Sequence, residues 1–283
     1  MFGIRADGRK VKNASLLFRI VPHIMPTRAD AQVYFSQDIP LKGMDEYIGK
    51  KAEEGIKISY MHIIYAAIVK TIAEKPELNR FIVNCIPYER KGIWISLMIK
   101  KSMSDEGEET LVKLRFDGTE SLMEIKEKLE NAIQENKEEG RDNSTAKFVK
   151  KLEKTPNLVL KIIVNILKLM DRYGILPKSI IALSPFHTSA FLTNVGSLGI
   201  DAIYHHIYNF GTTSMFFAMG KKKKDYVPED DEIVEEKCLS FSFVGDERIC
   251  DGYYFANAFK QLVKFIKKPE LMEKKEEKEI EIK

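Results

Sequence analysis

Four stretches follow one another between Pro185 and Pro269: Phe191-Leu192-Thr193-Asn194-Val195-Gly196, Phe216-Phe217-Ala218-Met219-Gly220-Lys221, Leu239-Ser240-Phe241-Ser242-Phe243-Val244 and Gly245-Asp246-Glu247-Arg248-Ile249-Cys250-Asp251-Gly252. The first three are short runs rich in aromatic and branched residues, and they read as strands. A polar hairpin joins the second to the third, with the basic run Lys221 to Lys224 on one side and the acidic residues from Glu229 to Glu236 on the other. The fourth is a loop of mixed charge. It leads into a helix over Gly252 to Lys267, and Gly252 suits a tight turn from strand to helix.

Outward from this region the chain alternates helices and strands. Val33 to Asp38 reads as a strand and Met44 to Glu54 as a helix. Ser59 caps a helix running to about Ala73, with Ile63, Ile64, Ala67, Ile68 and Ile72 on one face, and Pro76 and Asn79 close it. Ile93 to Met98 and Glu109 to Phe116 read as strands joined by an acidic turn at Asp105 to Glu108. Ser121 followed by Glu124 forms a capping box for a helix to about Lys137. A loop at Gly140 to Ser144 and two helical stretches bring the chain to Tyr173, and Ile180 onward reads as a strand. With no repeat and no Pro/Ser/Gly-rich linker, residues 1–268 are expected to form a single α/β domain, and residues 269–283 a charged tail.

Composition narrows the function classes. The 283 residues carry 45 Lys and Arg against 42 Asp and Glu, a net charge of +3, too balanced for a protein that wraps nucleic acid. Cys85, Cys238 and Cys250 are odd in number and widely spaced, so neither a disulfide framework nor a metal site is indicated, and a reduced, cytoplasmic setting is expected. Met1 to Val11 is polar and basic, without the apolar region of a signal peptide. From Leu158 to Leu183 the chain is apolar but interrupted by Lys161, Asn165, Lys168, Asp171 and Arg172, so no membrane span is expected. Lys161, Asn165, Lys168 and Arg172 fall on one stripe of a helix. The expected object is an amphipathic helix lying on the core, with a peripheral membrane helix as the alternative.

The order and spacing of these motifs resemble the catalytic domain of dihydrolipoyl acyltransferases, the acyltransferase components of 2-oxoacid dehydrogenase complexes, and the related chloramphenicol acetyltransferases. In that family a strand ends in D-H-R-x-x-D-G, preceded by an S-N-x-G strand end. Ala66-Ala67 through Pro76-Glu77-Leu78-Asn79 is similar to its helix ending in P-x-x-N, and Lys91 to Ser96 and Ser121 to Ile125 to the strand and helix that follow. The resemblance implies a chloramphenicol acetyltransferase-like two-layer sandwich with a mixed sheet, a homotrimer, and acyl transfer from an acyl-coenzyme A or another acyl-thioester carrier. A full dihydrolipoyl acyltransferase also carries a lipoyl domain and a small binding domain. Neither fits before Val33, so the acyl donor is expected to arrive free or on a separate carrier.

The resemblance also assigns residues. Glu247 stands where the family has its catalytic histidine, the general base that takes the acceptor's proton. A free glutamate titrates about two pKa units below histidine, so it serves as base only where its surroundings raise it; otherwise the site has lost acyl transfer and the chain is a non-catalytic trimeric scaffold or ligand-binding relative. Thr193 holds the place of the oxyanion-donating serine and keeps the hydroxyl. Asp251 corresponds to an aspartate that pairs with an N-terminal arginine, here Arg19 or Arg28. Cys250 matches a cysteine that packs in chloramphenicol acetyltransferase. Of His23, His62, His187, His205 and His206, the pair His205-His206 is the candidate substitute base, or a pair of turn histidines. Lys221 and Lys222, within the basic run, would meet coenzyme A phosphates or else form a solvated hairpin flank.

Overall fold

The computed structural model describes residues 5–100, 109–137, 155–229 and 232–275. Its centre is a six-stranded mixed sheet in the order β2 (Gln32–Pro40), β9 (Glu232–Asp246), β8 (Met215–Glu229), β7 (Ala190–Asn194), β5 (Ile93–Lys100) and β6 (Glu109–Phe116). β7 runs parallel to both β5 and β8, and the other pairs are antiparallel. A small second sheet holds β1 (Gly8–Lys10), β4 (Ile86–Arg90) and β3 (Arg80–Val83).

Strand alternation sorts the residues between two faces. Leu239, Phe241 and Phe243 of β9, Met215, Phe217 and Met219 of β8, and Ala190 and Leu192 of β7 enter the main core. Their neighbours Val244, Phe216 and Phe191 point the other way into a second cluster. The main core is completed by α3 (Tyr60–Glu74), whose residues from His62 to Ile72 are all buried, and by α7 (Gly252–Lys267), which adds Phe255, Ala258, Leu262, Phe265 and Ile266. α2 (Lys42–Glu53) and α4 (Leu122–Lys137) flank them. Helices on one face of a mixed sheet make the expected two-layer sandwich.

The opposite face is covered by an irregular segment. Ser240 Oγ accepts from Ala202 N at 3.0 Å, Ser242 Oγ donates to the Ile203 carbonyl at 2.5 Å, and Tyr204 OH donates to Ser36 Oγ at 2.7 Å. The polar alternates of β9 thus satisfy backbone that has no ladder of its own, and Ser36 of β2 takes up the Tyr204 hydroxyl.

Local signals locate several elements closely. Ser59 Oγ accepts from His62 N while His62 Nδ1 accepts from Ser59 N, a capping box closed by histidine. Ser121 and Glu124 form the expected one, with bonds of 2.8 and 3.2 Å. The acidic turn at Asp105 to Glu108, the loop at Gly140 to Ser144 and the first of the two helical stretches lie outside the described residues.

Other expectations are corrected. Ile180 begins no strand. Lys178–Leu183 forms the short helix α6 after Pro177, with Ser184 N bonded to the Ile180 carbonyl at 2.8 Å, and the strand starts at Ala190. A short apolar run has no periodicity to separate helix from strand. The β3–β4 hairpin turns through Asn84 and Cys85 at φ 50° and 59°, a left-handed pair without the glycine that signals such turns. Helix α5 (Asn157–Arg172) does not bury its apolar stripe on the core: Leu158, Ile162, Ile166 and Leu169 are exposed, and Asp171 is its only buried residue. Packing also continues past residue 268, because Met272 is fully buried in a turn at Pro269–Met272 and Glu273 accepts from Tyr47 OH at 3.0 Å.

Phe241, 1% exposed on the inner face of β9, tests the core. Phe241→Ala is expected to lower unfolding free energy by about 3–5 kcal/mol, read from the midpoint of a denaturant titration.

Candidate functional site

The loop from Asp246 to Asp251 leaves β9 and enters α7. Asp246 is wholly buried, its amide donates to the Ser214 carbonyl at 2.9 Å, and its two carboxylate oxygens accept from Arg248 Nε at 2.7 Å and Nη2 at 2.6 Å. This is a fork-to-fork pair between residues two apart, so it folds the loop tightly. Arg248 Nη1 also donates to the Met25 carbonyl at 2.9 Å. Arg28 approaches from the other side, its Nε 3.9 Å from Asp246 Oδ2, while its Nη groups donate to the carbonyls of Asn209 at 3.0 Å and Ile82 at 3.1 Å. Burial lowers the Arg28 pKa to about 10, with Asp246 opposing the fall.

Between the two members of the fork stands Glu247. Its amide donates to the Ala31 carbonyl at 2.9 Å, and its side chain is exposed. The buried pair thus presents a carboxylate on a fixed backbone. Asp251 does not meet an arginine: its Oδ1 accepts from Tyr254 N at 2.8 Å and caps α7, and Arg28 serves Asp246 instead. Arg19 is exposed on α1 (Leu16–Ile24). Gly252 has ordinary helical geometry and open space around it, so the turn does not require glycine there. Cys250 is fully buried and burial pushes its thiol up, which makes it a packing residue.

Strand register places Thr193 far from Glu247. Thr193 pairs with Ala218, which pairs with Ser242, whereas the row of Ala190 and Met215 ends on Gly245. Glu247 lies five residues beyond Ser242, about 17 Å along the strand direction at roughly 3.4 Å per residue. One chain therefore does not bring its own Thr193 hydroxyl and Glu247 carboxylate together.

The basic run is largely neutralised. Lys221 lies 3.3 Å from Asp201, Lys223 2.7 Å from Asp38 and Lys224 2.7 Å from Glu235, while the Lys222 ammonium sits 4.0 Å from the centroid of Tyr60. His205 stacks on Phe216 at 4.1 Å, and its Nδ1 lies 2.8 Å from the His206 carbonyl.

A second polar network escaped the sequence reading. Arg5 bonds Asp7 at 2.8 Å and Asp171 at 2.7 Å, His187 Nε2 lies 3.2 Å from Asp171 Oδ1, and His187 Nδ1 lies 2.7 Å from Ser184 Oγ. Burial works to raise the Asp171 carboxyl, but His187 and Arg5 outweigh it and hold the pKa at about 2. Its members are spread from residue 5 to residue 187, so no motif could announce it. Between this network and the loop lies a cavity of about 430 Å³, whose wall includes Arg28, Arg248, Asp171, Lys168 and Arg172.

Residues 184–273 match the family model for 2-oxoacid dehydrogenases acyltransferase (catalytic domain). This segment, about a third of the chain, is similar to that catalytic domain. Its fold is shared by a probable dihydrolipoamide acetyltransferase from Listeria monocytogenes, with 16% identity, a TM-score of 0.55, and 92% of this chain and 94% of that one covered. The dihydrolipoamide acetyltransferase of Azotobacter vinelandii gives 13% identity and a TM-score of 0.56 over 93% of this chain and 94% of that one. A chloramphenicol acetyltransferase gives 10% identity and 0.57 over 92% and 99%. No curated protein sequence matches the chain significantly. The chain thus has the chloramphenicol acetyltransferase-like fold over nearly its whole length, and the segment that matches the family model carries the Asp246–Asp251 loop.

Two stability outcomes are expected. Asp246→Asn leaves the buried guanidinium of Arg248 uncompensated and is expected to cost about 3–5 kcal/mol in chemical denaturation. Burial lowers the pKa of His62, His187 and His205 below the ordinary 6.5. Below that value the unfolded chain binds more protons than the folded one, so stability is full above about pH 6.5 and falls as pH drops. Thermal melts from pH 8 to 5 are expected to show that fall, with a smaller slope in His187→Gln. The contribution of Asp171 is present above about 3.8 and is lost only as pH falls towards 2.

Proposed function

We propose that the protein transfers an acyl group from an acyl-coenzyme A to a nucleophilic acceptor, in a site assembled between copies of the chain in a homotrimer. Glu247 of one copy acts as general base and Thr193 of the next as oxyanion donor. The observation that carries this reading is the separation of the two residues: Glu247 is exposed on a loop locked by the Asp246–Arg248 pair, and the register holds Thr193 in the row of Ala218 and Ser242, five residues short of Glu247 along the chain of β9. Neither completes a site alone, so this reading needs a second copy of the chain.

In the Azotobacter vinelandii enzyme a serine, a histidine and an asparagine figure in the catalytic mechanism, the last two four positions apart. Glu247 and Asp251 have the same spacing. On this reading the Glu247 carboxylate takes the proton of the acceptor thiol or hydroxyl as that atom attacks the thioester carbonyl. The Thr193 hydroxyl donates to the resulting oxyanion. Collapse of the tetrahedral adduct breaks the carbon–sulfur bond, and the departing coenzyme A thiolate takes the proton back from Glu247, which restores the base. Lys221 and Lys222 at the start of the hairpin are the cations assigned to the coenzyme's phosphates, Lys221 after exchange of its half-exposed partner Asp201. A cytoplasmic location accords with this donor.

A second reading is favoured by the ion pairs of Lys221, Lys223 and Lys224, which already neutralise most of the basic run. In it the chain is a non-catalytic trimeric relative that keeps the fold and has lost acyl transfer with the histidine.

The deciding measurement is thiol release from short acyl-coenzyme A substrates with thiol, amine and alcohol acceptors. Glu247→Gln is expected to lower kcat about 10²–10⁴-fold, and Thr193→Val about 10²–10³-fold. Mixed and reassembled in equal amounts, the two inactive variants are expected to recover about a quarter of wild-type activity, since that share of sites receives both intact residues in a closed ring. Silence of the wild type with activity in Glu247→His would select the second reading.

A further inference from the structure

Among the described residues, two helices leave an apolar face without a partner. On α5, Leu158, Val159, Ile162, Ile166, Leu169 and Tyr173 just beyond its end are exposed, from 71% at Leu158 to 42% at Tyr173. At about 100° per residue these positions fill one arc of roughly 100°. The half-buried Leu160, Ile163, Leu167 and Met170 lie on the side towards the protein. The exposed cations Lys161, Lys168 and Arg172 fall on the flank of the outward arc. The single acid, Asp171, is buried against Arg5 and His187.

α1 repeats the pattern independently. Leu16, Leu17, Ile20 and Ile24 are exposed on one arc, with Ile24 at 71%, and Arg19 and His23 stand exposed on its flank. The helix contains no acid. Both helices border the Asn84–Cys85 turn: Arg172 Nε donates to Asn84 Oδ1 at 3.0 Å, and Leu16, Arg19 and Ile20 share a depression with Cys85 and Pro87.

We propose that α1 and α5 together form a docking surface for an anionic lipid bilayer, on which the protein lies without crossing. Among the described residues no helix is long and apolar enough to span. The occupant follows from the charge pattern. An outward apolar arc with a cationic flank and no exposed acid is the arrangement of a helix lying in the headgroup region, its apolar arc among the acyl chains and its Lys and Arg heads reaching lipid phosphates. Two helices with the same asymmetry, beside one turn, supply the pair of weak attachments that stable surface binding needs. Lys168 and Arg172 also line the cavity beside the Asp246–Asp251 loop, so the docked face and the cavity share a wall.

The test is co-sedimentation of the full chain with vesicles of phosphatidylglycerol and phosphatidylcholine, and with pure phosphatidylcholine, with mass by light scattering in parallel. Binding to the anionic vesicles that weakens with salt is the expected result. Lys161→Gln and Arg19→Gln are each expected to weaken it about fivefold, the effect of one surface cation near an anionic leaflet. Ile162→Asp with Leu169→Asp is expected to remove the bound fraction while circular dichroism and solution mass stay unchanged. No binding to anionic vesicles overturns the proposal. A changed mass in the double variant overturns it too, because the face is then buried between copies of the chain. Neither result depends on acyl transfer, so the proposal stands or falls apart from the site assigned above.

Discussion

Asp246 and Arg248 hold the centre of the molecule. A carboxylate buried at the end of a central strand is costly unless every lone pair is used, and here the guanidinium two residues on closes on both oxygens while Arg28 stands behind. The geometry of the Asp246–Asp251 loop follows from that pair. It fixes where β9 stops, lets Ile249 and Cys250 turn inward to the core, and leaves Glu247 pointing out. Arg248 and Arg28 also reach the Met25, Asn209 and Ile82 carbonyls, so three distant segments are tied to one ion cluster.

The rest of the sandwich supports that loop. α3 is buried on all sides from His62 to Ile72 and packs in the main core beside α7, and α7 begins on Asp251 as its cap, so the end of the loop and the start of the helix are one hydrogen bond. On the reverse face the segment around Ala202 to Tyr204 is held by serines that alternate with the phenylalanines of β9. The same alternation therefore builds an apolar inner layer and an outer face where a small aromatic cluster sits beside hydrogen-bonded serines.

Register has the larger consequence for function. Parallel pairing of β7 with β8, and antiparallel pairing of β8 with β9, set Thr193 in the row of Ala218 and Ser242, away from the loop that follows Asp246. A hydroxyl and a carboxylate that look like members of one site when read along the chain are held apart within the folded chain.

Reading the residues alone located the strands around Phe191, Phe216 and Phe241, the caps at Ser59 and Ser121 and the helix from Gly252 to Lys267, because each rests on a local rule: alternation, a side-chain cap, or helical spacing. The family resemblance, not the residues alone, singled out Glu247, Thr193 and Asp251. The partner of Asp251, the Arg5–Asp171–His187 network and the β3–β4 hairpin were not legible, since they depend on groups far apart in sequence or on a left-handed turn made without glycine. The apolar stripe of α5 was visible as a stripe, but a period shows only that a helix has an apolar side. Whether that side meets a core or stands open is set by what else occupies the space, and only the tertiary structure, where Leu158, Ile162 and Leu169 meet no packed layer, decided it.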